Sequence, residues 1–584
     1  MTRMIGSFIE TVGVFVKKYF LVAALFFILT VIVTYPLVNN VLTRIPGYGD
    51  ALTYLWTLWW FHHAVAVLHQ NPLFTNFQFY PEAINISQDV SLLHGVYALP
   101  IISWLGVYAG YNAVIFFTYV VTGLGFYIFF RSLIISKTAA FIGSCLFTFS
   151  YYRNIRVTEG HVDIASTEWY GFVLYFLTAI FYFGKNSRRN IFGAALFLSL
   201  CAYTEYRNFF YIALFFGLFV LVSTIVQMAR SKRHEVKALL IAQTESFISV
   251  ALIVWFMLLP LFIINLSKIG DVQYAPTYPS FNAYAPAFIL PPCSTHLGQI
   301  LPRCFSSPVY EGGMVYLGIT SVLFSLYYLI LRSRKRDWGI VMLFGSLIVI
   351  FILLSLGTKT PLYSWLFDNM PLFKVVRVPS RLVVLVGACL SVISAMGVHA
   401  MLQRSAAPQR LMIIVFATIL FIAEGAVSNE KYVYDSAGVS PHLAVLEASN
   451  SYSLLEIPFG FRGNIYETFG SHNTGQSFYY QMRHQIPLIG GYMSMIDFST
   501  WRNISEDSLL IKLVNCQEIS VCEPLSDIEK QAFSQKYKVK YVSFLSNNYM
   551  HLEQYLKSNL NLQVVYRDGT KAVFQNSSLV ADAD

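Results

Sequence analysis

Long apolar runs alternate with short polar connections along the first three quarters of the chain. A run of about 17 or more apolar residues is long enough to cross a bilayer as a helix. By this criterion the pattern predicts about 11 transmembrane helices, at 20–38, 112–130, 138–152, 166–184, 190–206, 209–229, 246–266, 313–331, 338–356, 382–402 and 410–428. The expected fold class is an all-α polytopic membrane protein.

The segment 91–109 is apolar, but Pro100 and several glycines interrupt it. The positive-inside rule decides how to interpret it. If 39–111 is one long external loop with a re-entrant or surface-lying helix, every basic cluster falls on one side, from Lys17/Lys18 to Arg404/Arg410. This topology predicts a plasma (inner) membrane protein with a cytoplasmic N-terminus and an extracytoplasmic C-terminus.

The tail after about residue 428 is more polar and carries strand patterns. These are 453–457, 539–544 and 564–574, the last with Asp568-Gly569 between alternating runs, which is a strong hairpin signal. The predicted organisation is therefore a transmembrane domain at 1–428 and an extracytoplasmic α/β domain at 429–584.

Composition supports the membrane assignment, since 56% of residues are apolar and only 12% are charged. A soluble globule, a disordered chain and a coiled coil are excluded. The net charge of +9 lies in clusters between apolar runs, which argues against nucleic acid as a partner. No nucleotide-binding motif is present, so a nucleotide-driven pump is disfavoured and no nucleotide cofactor is expected.

Four cysteines lie in predicted external segments, two in each, and permit local disulfides Cys293–Cys304 and Cys516–Cys522. The alternative is four unpaired thiols.

Ionisable side chains gather at the external ends of the spans, where a water-filled site opening outside would explain several acids beside aromatic residues. Snorkelling of long side chains is the alternative, and it explains the arginines better than the acids. The set comprises Asp50, Arg153, Arg156, Glu159, His161, Asp163, Glu168, Glu205, Arg207, Glu311, Arg377, Arg381 and Glu424.

Asp50 opens an aromatic helix in which Thr53, Trp56, Trp60 and His63 would share one face. The carboxylate is interpreted either as a helix N-cap that accepts from the Thr53 N–H, or as a general base or metal ligand above the membrane.

Three further segments carry candidate chemistry. Glu159, His161 and Asp163 offer three ligands to one cation, unless they form a solvated loop. Glu205 and Arg207 are a site pair or a structural ion pair. Arg377 and Arg381 flank Pro379 at the start of a span. The free N–H groups and the two guanidinium groups there would suit a lipid phosphate. The alternative is that the two arginines only anchor the helix in the lipid headgroups.

The order of several short elements resembles the polyprenyl-phosphate-sugar-dependent glycosyltransferases of the GT-C superfamily, in particular a poorly characterised prokaryotic branch. The matching stretches span roughly 20–495 and are Gly49-Asp50-Ala51, Phe79-Tyr80-Pro81, Gly160-His161-Val162-Asp163, Ser166-Thr167-Glu168-Trp169, Tyr316-Leu317-Gly318, Leu356-Gly357-Thr358, Arg377-Val378-Pro379-Ser380-Arg381 and Ile489-Gly490-Gly491-Tyr492. Met493-Ser494-Met495 follows where the family usually has a basic or polar residue.

The resemblance implies an inverting hexosyl- or pentosyl-transferase that takes a sugar from a polyprenyl-phosphate donor to a glycan, lipid or protein acceptor on the outer face. Asp50 would be the acidic residue of the first external loop, which in the family acts as the base or positions the acceptor and metal, and we expect it to be the catalytic base. Glu159, His161 and Asp163 would match a motif that holds a divalent cation such as Mg²⁺ or Mn²⁺ in some members. The expected substrate-binding residues are Tyr54, Trp56, His63, Glu82, Arg153, His161, Glu205, Arg207, Arg377 and Arg381.

Two other classes of function remain open at this point. One is a transporter or flippase of a lipid-linked glycan, which would need polar groups at the midplane and usually internal repeats. The other is a non-catalytic membrane assembly protein that uses its external domain.

Overall fold

The structure is a computed structural model of the full chain. It describes residues 2–47, 49–133, 135–266, 281–306, 311–331, 338–370, 373, 376, 378–427, 432–434, 440–463, 468–470, 474–493 and 496–578. The chain folds into two compact units. The helical unit comprises Met1–Val41, Asn112–Leu259 and Tyr274–Lys431, and the loop–tail unit comprises Leu42–Tyr111, Pro260–Gln273 and Tyr432–Asp584.

The helical unit consists of long apolar helices and short polar ones. Its helices, some of which extend into the other unit, are Thr2–Val33, Val107–Ser132, Lys137–Thr148, Tyr151–Thr158, Val162–Ala165, Tyr170–Leu177, Arg188–Thr204, Tyr206–Met228, Val236–Ile264, His296–Ile300, Ile319–Leu331, Trp338–Ser355, Pro361–Asn369, Val383–Arg404 and Ala407–Gly425.

Seven helices within the described residues are long and apolar enough to cross a membrane. The chain is therefore a multi-pass membrane protein, as the hydrophobic pattern predicts. The number of spans and their orientation stay predictions.

The helix Val383–Arg404 is the central helix of this unit, and it is much more buried than the helices at the periphery. In the apolar window of Pro379–Arg404, 89% of the residues are buried, against 6% in that of Val236–Ile264. The central helix packs closely where its residues are small: a Cβ on Gly397 would lie 2.0 Å from the carbonyl oxygen of Phe324. Val236–Ile264 instead presents its apolar side chains outward, as a helix facing lipid does.

Polar residues set several helix ends. The hydroxyls of Ser136 and Ser187 accept backbone N–H bonds and cap the helices that begin at Lys137 and Arg188. The predicted span 138–152 ends early, at Thr148, because Ser150 has extended backbone (ψ 151°) and a second helix begins at Tyr151.

The loop–tail unit contains the sheets and the remaining helices. Its helices are Asp50–His62, Leu92–Leu105, Thr474–His484, Phe498–Ser505, Ser508–Ile519, Asp527–Gln535 and Met550–Asn559. A four-stranded sheet has the spatial order Leu562–Arg567, Ala572–Asn576, Val539–Phe544 and Ser453–Ile457. Its pairs are antiparallel except for the last, which is parallel. Smaller sheets join Arg44–Pro46 to Tyr432–Tyr434, Phe74–Thr75 to Ile84–Asn85, and Gly460–Arg462 to Thr468–Gly470 and Gly491–Tyr492.

The sheet confirms the α/β character predicted for the tail. Strands Ser453–Ile457 and Val539–Phe544 have the predicted bounds, and the hairpin turns at Asp568, whose carboxylate accepts the N–H groups of Thr570 and Lys571 at 2.6 and 2.7 Å. The two predicted cysteine pairs, Cys293–Cys304 and Cys516–Cys522, are joined as disulfides.

The predicted external loop groups with the tail, whereas the sequence assigns it to the transmembrane domain. Arg44–Pro46 pairs with Tyr432–Tyr434, and the Phe79 and Tyr80 N–H groups donate to the carbonyls of Gly490 and Leu488 at 3.1 and 2.9 Å. The helix Leu92–Leu105 lies in this loop, contains Pro100 and ends at Gly106, which has a φ of 87°. The domain boundary near residue 428 stays a prediction.

Candidate active site

A triad of buried charges lies in the helical unit. Arg156 projects from the helix Tyr151–Thr158, Glu311 from the turn Glu311–Gly313, and Arg381 from the turn that precedes the central helix. Glu311 accepts from Arg156, and it accepts from Nη2 and Nε of Arg381 at 2.5 and 3.4 Å. The three side chains are 0–8% exposed. Burial opposes ionisation of Glu311, but the two guanidinium groups hold the pKa of its carboxyl well below the ordinary value.

A second charged group continues from this triad. Nε of Arg207 donates to Glu205 Oε1 at 2.6 Å, and Nη2 of Arg207 donates to Asp163. Asp163 also interacts electrostatically with Arg381. The side chain of Arg207 is 26% exposed, so it is the accessible arginine of the group. We call these six residues (Arg156, Asp163, Glu205, Arg207, Glu311 and Arg381) the charge cluster.

The charge cluster is balanced, with three guanidinium and three carboxylate groups. Mutual pairing allows such charges to remain buried, since unpaired ions in a low-dielectric interior are costly. The structural ion pair considered for Glu205 and Arg207 is present, and the segment that contains Asp163 is a short helix rather than a solvated loop.

Arg153 lies apart from the charge cluster in its contacts. It is fully buried, and its guanidinium donates to the carbonyls of Ala165 and Thr148 at 3.1 and 2.6 Å and to Thr118 Oγ1 at 3.3 Å. The Thr118 hydroxyl donates in turn to Glu168 at 2.8 Å. Arg153 is a predicted substrate-binding residue, and these bonds tie its own helix to three other helical segments.

The three residues proposed as metal ligands occupy different positions in the local structure. Glu159 follows the end of one short helix, His161 precedes the next, and Asp163 pairs with Arg207. Within the described ranges, no three histidine, cysteine, aspartate or glutamate side chains are grouped closely enough to hold a metal ion.

Asp50 is the first residue of the helix Asp50–His62 and is exposed. The N-cap position belongs to Gly49, whose φ of 60° suits glycine. This differs from the capping role considered for Asp50, because the glycine already turns the chain. Its carboxylate at the helix N-terminus has a favourable interaction with the helix dipole.

The aromatic residues of the same helix are packed inside the loop–tail unit. Trp56 is fully buried and stacks on Trp60 with ring centroids 6.0 Å apart, while the Tyr54 hydroxyl bonds to His94. Tyr54 and Trp56 are predicted substrate-binding residues, and in the structure other protein side chains pack against both.

His63 and Glu82 also lie in the loop–tail unit. His63 stacks on Trp59 at 4.7 Å, and burial, with a smaller contribution from His62, lowers its pKa to about 4. Glu82 is half-buried, and its N–H donates to the Phe79 carbonyl at 3.0 Å. Arg377 lies outside the described residues.

Two features were missed from sequence. Arg156 and Glu311 were noted as polar positions at span ends, but not as site residues, because their pairing joins positions 155 residues apart. No local pattern in the sequence marks Gln481 as important. It is fully buried, accepts from Trp56 Nε1 at 2.8 Å and from Gln78 at 2.5 Å, and donates to the carbonyls of Phe77 and Ile486.

No protein-family model matches the chain, and no curated protein matches it in sequence. Solved structures do match. Arabinofuranosyltransferase AftD from Mycobacteria has a TM-score of 0.55 at 13% identity, over 96% of this chain and 40% of AftD. ArnT from Cupriavidus metallidurans in the apo state has a TM-score of 0.50 at 11% identity, over 97% and 99%. The archaeal oligosaccharyltransferase AglB from Archaeoglobus fulgidus has a TM-score of 0.41 at 11% identity, over 96% and 74%.

The first two of these structures define the fold of the chain. AftD and ArnT are membrane glycosyltransferases of the GT-C superfamily. The chain has a GT-C-like membrane fold, which confirms the fold class that its sequence motifs imply. Since it spans only 40% of AftD, the likeness there concerns a part of the larger protein.

Proposed function

We propose that the chain is an inverting glycosyltransferase that takes a sugar from a polyprenyl-phosphate donor and passes it to a hydroxyl acceptor on the extracytoplasmic face. The observation that carries the proposal is the charge cluster, with its buried triad of Arg156, Glu311 and Arg381, in a chain of GT-C-like fold. A structural protein has little use for three arginines and three acids in one apolar bundle, because a well-packed apolar replacement is often as stable.

The arginines of the charge cluster suit the phosphate of the donor. Guanidinium groups bind phosphate oxygens with paired N–H bonds, and in a water-poor site they offset the charge that develops on a leaving group. Arg207 is partly exposed, and Arg381 interacts electrostatically with Asp163. A phosphate that binds at Arg207 would therefore accept hydrogen bonds from guanidinium groups that also interact with the acids. We assign the same role to Arg377.

Asp50 is proposed as the general base. Its carboxylate would take the proton of the acceptor hydroxyl as that oxygen attacks the anomeric carbon. The bond from the anomeric carbon to the phosphate oxygen breaks in the same step, and polyprenyl phosphate leaves with the electron pair. One displacement inverts the anomeric configuration. No nucleotide takes part, and the proposal assigns no step to a metal ion.

The proposal is tested with the purified chain in liposomes that contain undecaprenyl phosphate carrying an isotope-labelled pentose or hexose, with neutral oligosaccharides supplied as acceptors. Release of undecaprenyl phosphate together with a labelled, inverted product supports transfer. Movement of intact donor across the bilayer contradicts it and favours a transporter. Absence of both also contradicts it.

Arg381→Gln should slow this release by at least tenfold. Arg188→Gln is the matched control, since Arg188 is exposed at a helix start in the same unit. Equal release by the two variants would contradict the role of the charge cluster.

A further inference from the structure

A disulfide joins two limbs of one loop in the helical unit. The bond links Cys293 to Cys304. Two backbone hydrogen bonds run beside it, from the Cys293 N–H to the carbonyl of Phe305 at 3.1 Å and from the Phe305 N–H to that of Pro291 at 2.8 Å. The two limbs therefore lie side by side. We call residues 285–305 the stapled loop.

The tip of the stapled loop is a tight turn around the short helix His296–Ile300. The Thr295 hydroxyl accepts from the Gly298 N–H at 3.0 Å and donates to the carbonyl of Pro292 at 2.8 Å. A Cβ on Gly298 would overlap that same carbonyl, so only glycine fits there. These contacts give the loop a fixed shape, and the side chains on its outside are held in place.

Four large apolar side chains on this loop are not covered by the rest of the protein. The exposed fractions are 64% and 39% for Ile289 and Leu290 on one limb, and 79% and 36% for Ile300 and Leu301 on the other. We call these four residues the apolar patch. Single exposed apolar side chains are common on protein surfaces, whereas several on one short segment mark a contact surface.

Polar residues border the apolar patch. Arg303 is exposed, and it is the only lysine, arginine, aspartate or glutamate in the described range 281–306. His296 and Gln299 on the short helix are exposed as well. Apolar side chains beside a basic residue and uncharged polar residues are typical of a segment that lies in the interface of a membrane.

The stapled loop lies at one end of a helix that faces lipid. Its short helix packs against Ala407–Gly425, and Thr295 pairs with Val427, two residues after that helix ends. Only 17% of the apolar window of Ala407–Gly425 is buried, and Phe416 and Ile419 are exposed on it. A helix of 19 residues is about as long as the hydrocarbon core is thick, about 30 Å. Its end, and the loop packed there, therefore lie near the boundary between hydrocarbon and headgroups.

Backbone hydrogen bonds fix the base of the stapled loop to the helical unit. The Tyr284 N–H donates to the carbonyl of Gly312, and the Leu317 N–H donates to that of Phe288, both at 3.1 Å. Gly312 belongs to the turn that carries Glu311 of the charge cluster. The apolar patch and one residue of the charge cluster thus belong to neighbouring, hydrogen-bonded segments.

We propose that the apolar patch inserts into the interfacial layer of the bilayer, with its side chains among the upper parts of the acyl chains and Arg303 at the lipid phosphates. Bilayer lipid is the occupant that the position of the loop favours, because the lipid that covers the exposed face of Ala407–Gly425 also reaches the end of that helix. The inference concerns attachment of the loop to the membrane and does not rest on the proposed transfer function.

Insertion is measured on the full-length chain in nanodiscs with an NBD fluorophore attached to Ile300→Cys. The three cysteines outside the disulfides are buried, so the unsubstituted chain gives the labelling background. One quencher is phosphatidylcholine with a doxyl group near the top of an acyl chain, and the other is aqueous iodide. Ile528→Cys is the matched control, because Ile528 is also 79% exposed but lies on the polar helix Asp527–Gln535.

The two quenchers should act oppositely on the two labels. The doxyl lipid should quench the label at Ile300→Cys at least about threefold more strongly than the label at Ile528→Cys, and iodide should quench it at least about threefold less. Equal quenching of both labels by the doxyl lipid overturns the proposal. Shielding of the Ile300→Cys label from both quenchers also overturns it, because a second copy or another protein would then cover the patch.

A second labelled site checks that the new thiol does not disturb the loop. Ile289→Cys places the label on the other limb, and peptide mapping verifies the Cys293–Cys304 bond in each labelled chain. Both limbs should be quenched by the doxyl lipid, and quenching by iodide alone at Ile289→Cys would overturn insertion of the patch. Because no sugar donor is present, failure of insertion would leave the transfer proposal intact, and failure of transfer would leave the insertion result intact.

Discussion

The variant Glu311→Gln separates a purely structural charge cluster from one that binds phosphate. Glutamine keeps the size of the side chain but removes the negative charge between Arg156 and Arg381. The two arginines repel each other, and Glu311 is the carboxylate that they share. The substitution should therefore destabilise the empty protein, yet strengthen its binding of an anion.

The loss of stability and the gain in anion binding can both be estimated from the burial of the triad. Breaking a buried ion pair by removal of one partner costs about 3–5 kcal/mol, and the exposures of 0–8% place this triad in that class. Two unit charges about 8 Å apart interact by about 2 kcal/mol at an effective dielectric constant of about 20. Removing the carboxylate should thus tighten binding of a phosphate near the arginines by tenfold or more.

The assay has two readouts on the chain in nanodiscs, the thermal midpoint and the retention of undecaprenyl phosphate in native mass spectrometry. Glu235→Gln is the control, because Glu235 is exposed in the same unit. We expect a midpoint lower by about 5 °C or more and tighter lipid binding only for Glu311→Gln. Adding Arg156→Gln should recover part of the midpoint. An unchanged midpoint would refute the buried triad, and weaker lipid binding would refute its role toward phosphate.

Three other predictions concern particular contacts. Because burial raises the folded pKa of Glu456 from the ordinary 4.5 to about 7, the loop–tail unit should lose up to about 3 kcal/mol of stability as pH rises through this window; an equal slope in Glu456→Gln would contradict this. Gly171→Leu should lower the thermal midpoint far more than Gly217→Leu. A Cβ at Gly171 would lie 2.3 Å from backbone atoms of the neighbouring helix, whereas a Cβ at Gly217 would have no heavy atom of another segment within 4 Å. Equal effects of the two substitutions would refute the close packing. Gln481→Leu should strip four hydrogen bonds from the loop–tail unit, at about 1–3 kcal/mol for each group left unpaired, and accelerate hydrogen exchange in Asp50–His62; unchanged exchange would argue against this link.

Local patterns predicted the elements well. The strands Ser453–Ile457 and Val539–Phe544 could be recognised as short strand-forming segments in a polar tail. Asp568-Gly569 marks the hairpin turn between alternating runs, and the Asp568 carboxylate accepts backbone N–H groups there. The ends of helices were harder to predict where a single residue determines where the helix begins or stops. Ser150 breaks the predicted span 138–152, and the capping position fell to Gly49 rather than Asp50.

Long-range pairing could not be predicted from periodicity. Trp56 and Gln481 are 425 residues apart, and nothing local marks a glutamine as the centre of a network. The same holds for Arg156 and Glu311, which are 155 residues apart in the sequence. The sequence shows that charges gather at span ends because each is costly there, but it does not show which charge neutralises which.

The role of Asp50 is the central claim, and the rate of undecaprenyl phosphate release by Asp50→Asn tests it most directly. The variant is reconstituted with labelled donor and neutral acceptors, and its donor binding and thermal midpoint are matched to those of the wild type. Asparagine retains the size of the side chain but accepts no proton. The account predicts a loss of release of at least a hundredfold, in line with the contribution of general bases of about 10²–10⁴. Release at the wild-type rate would contradict it.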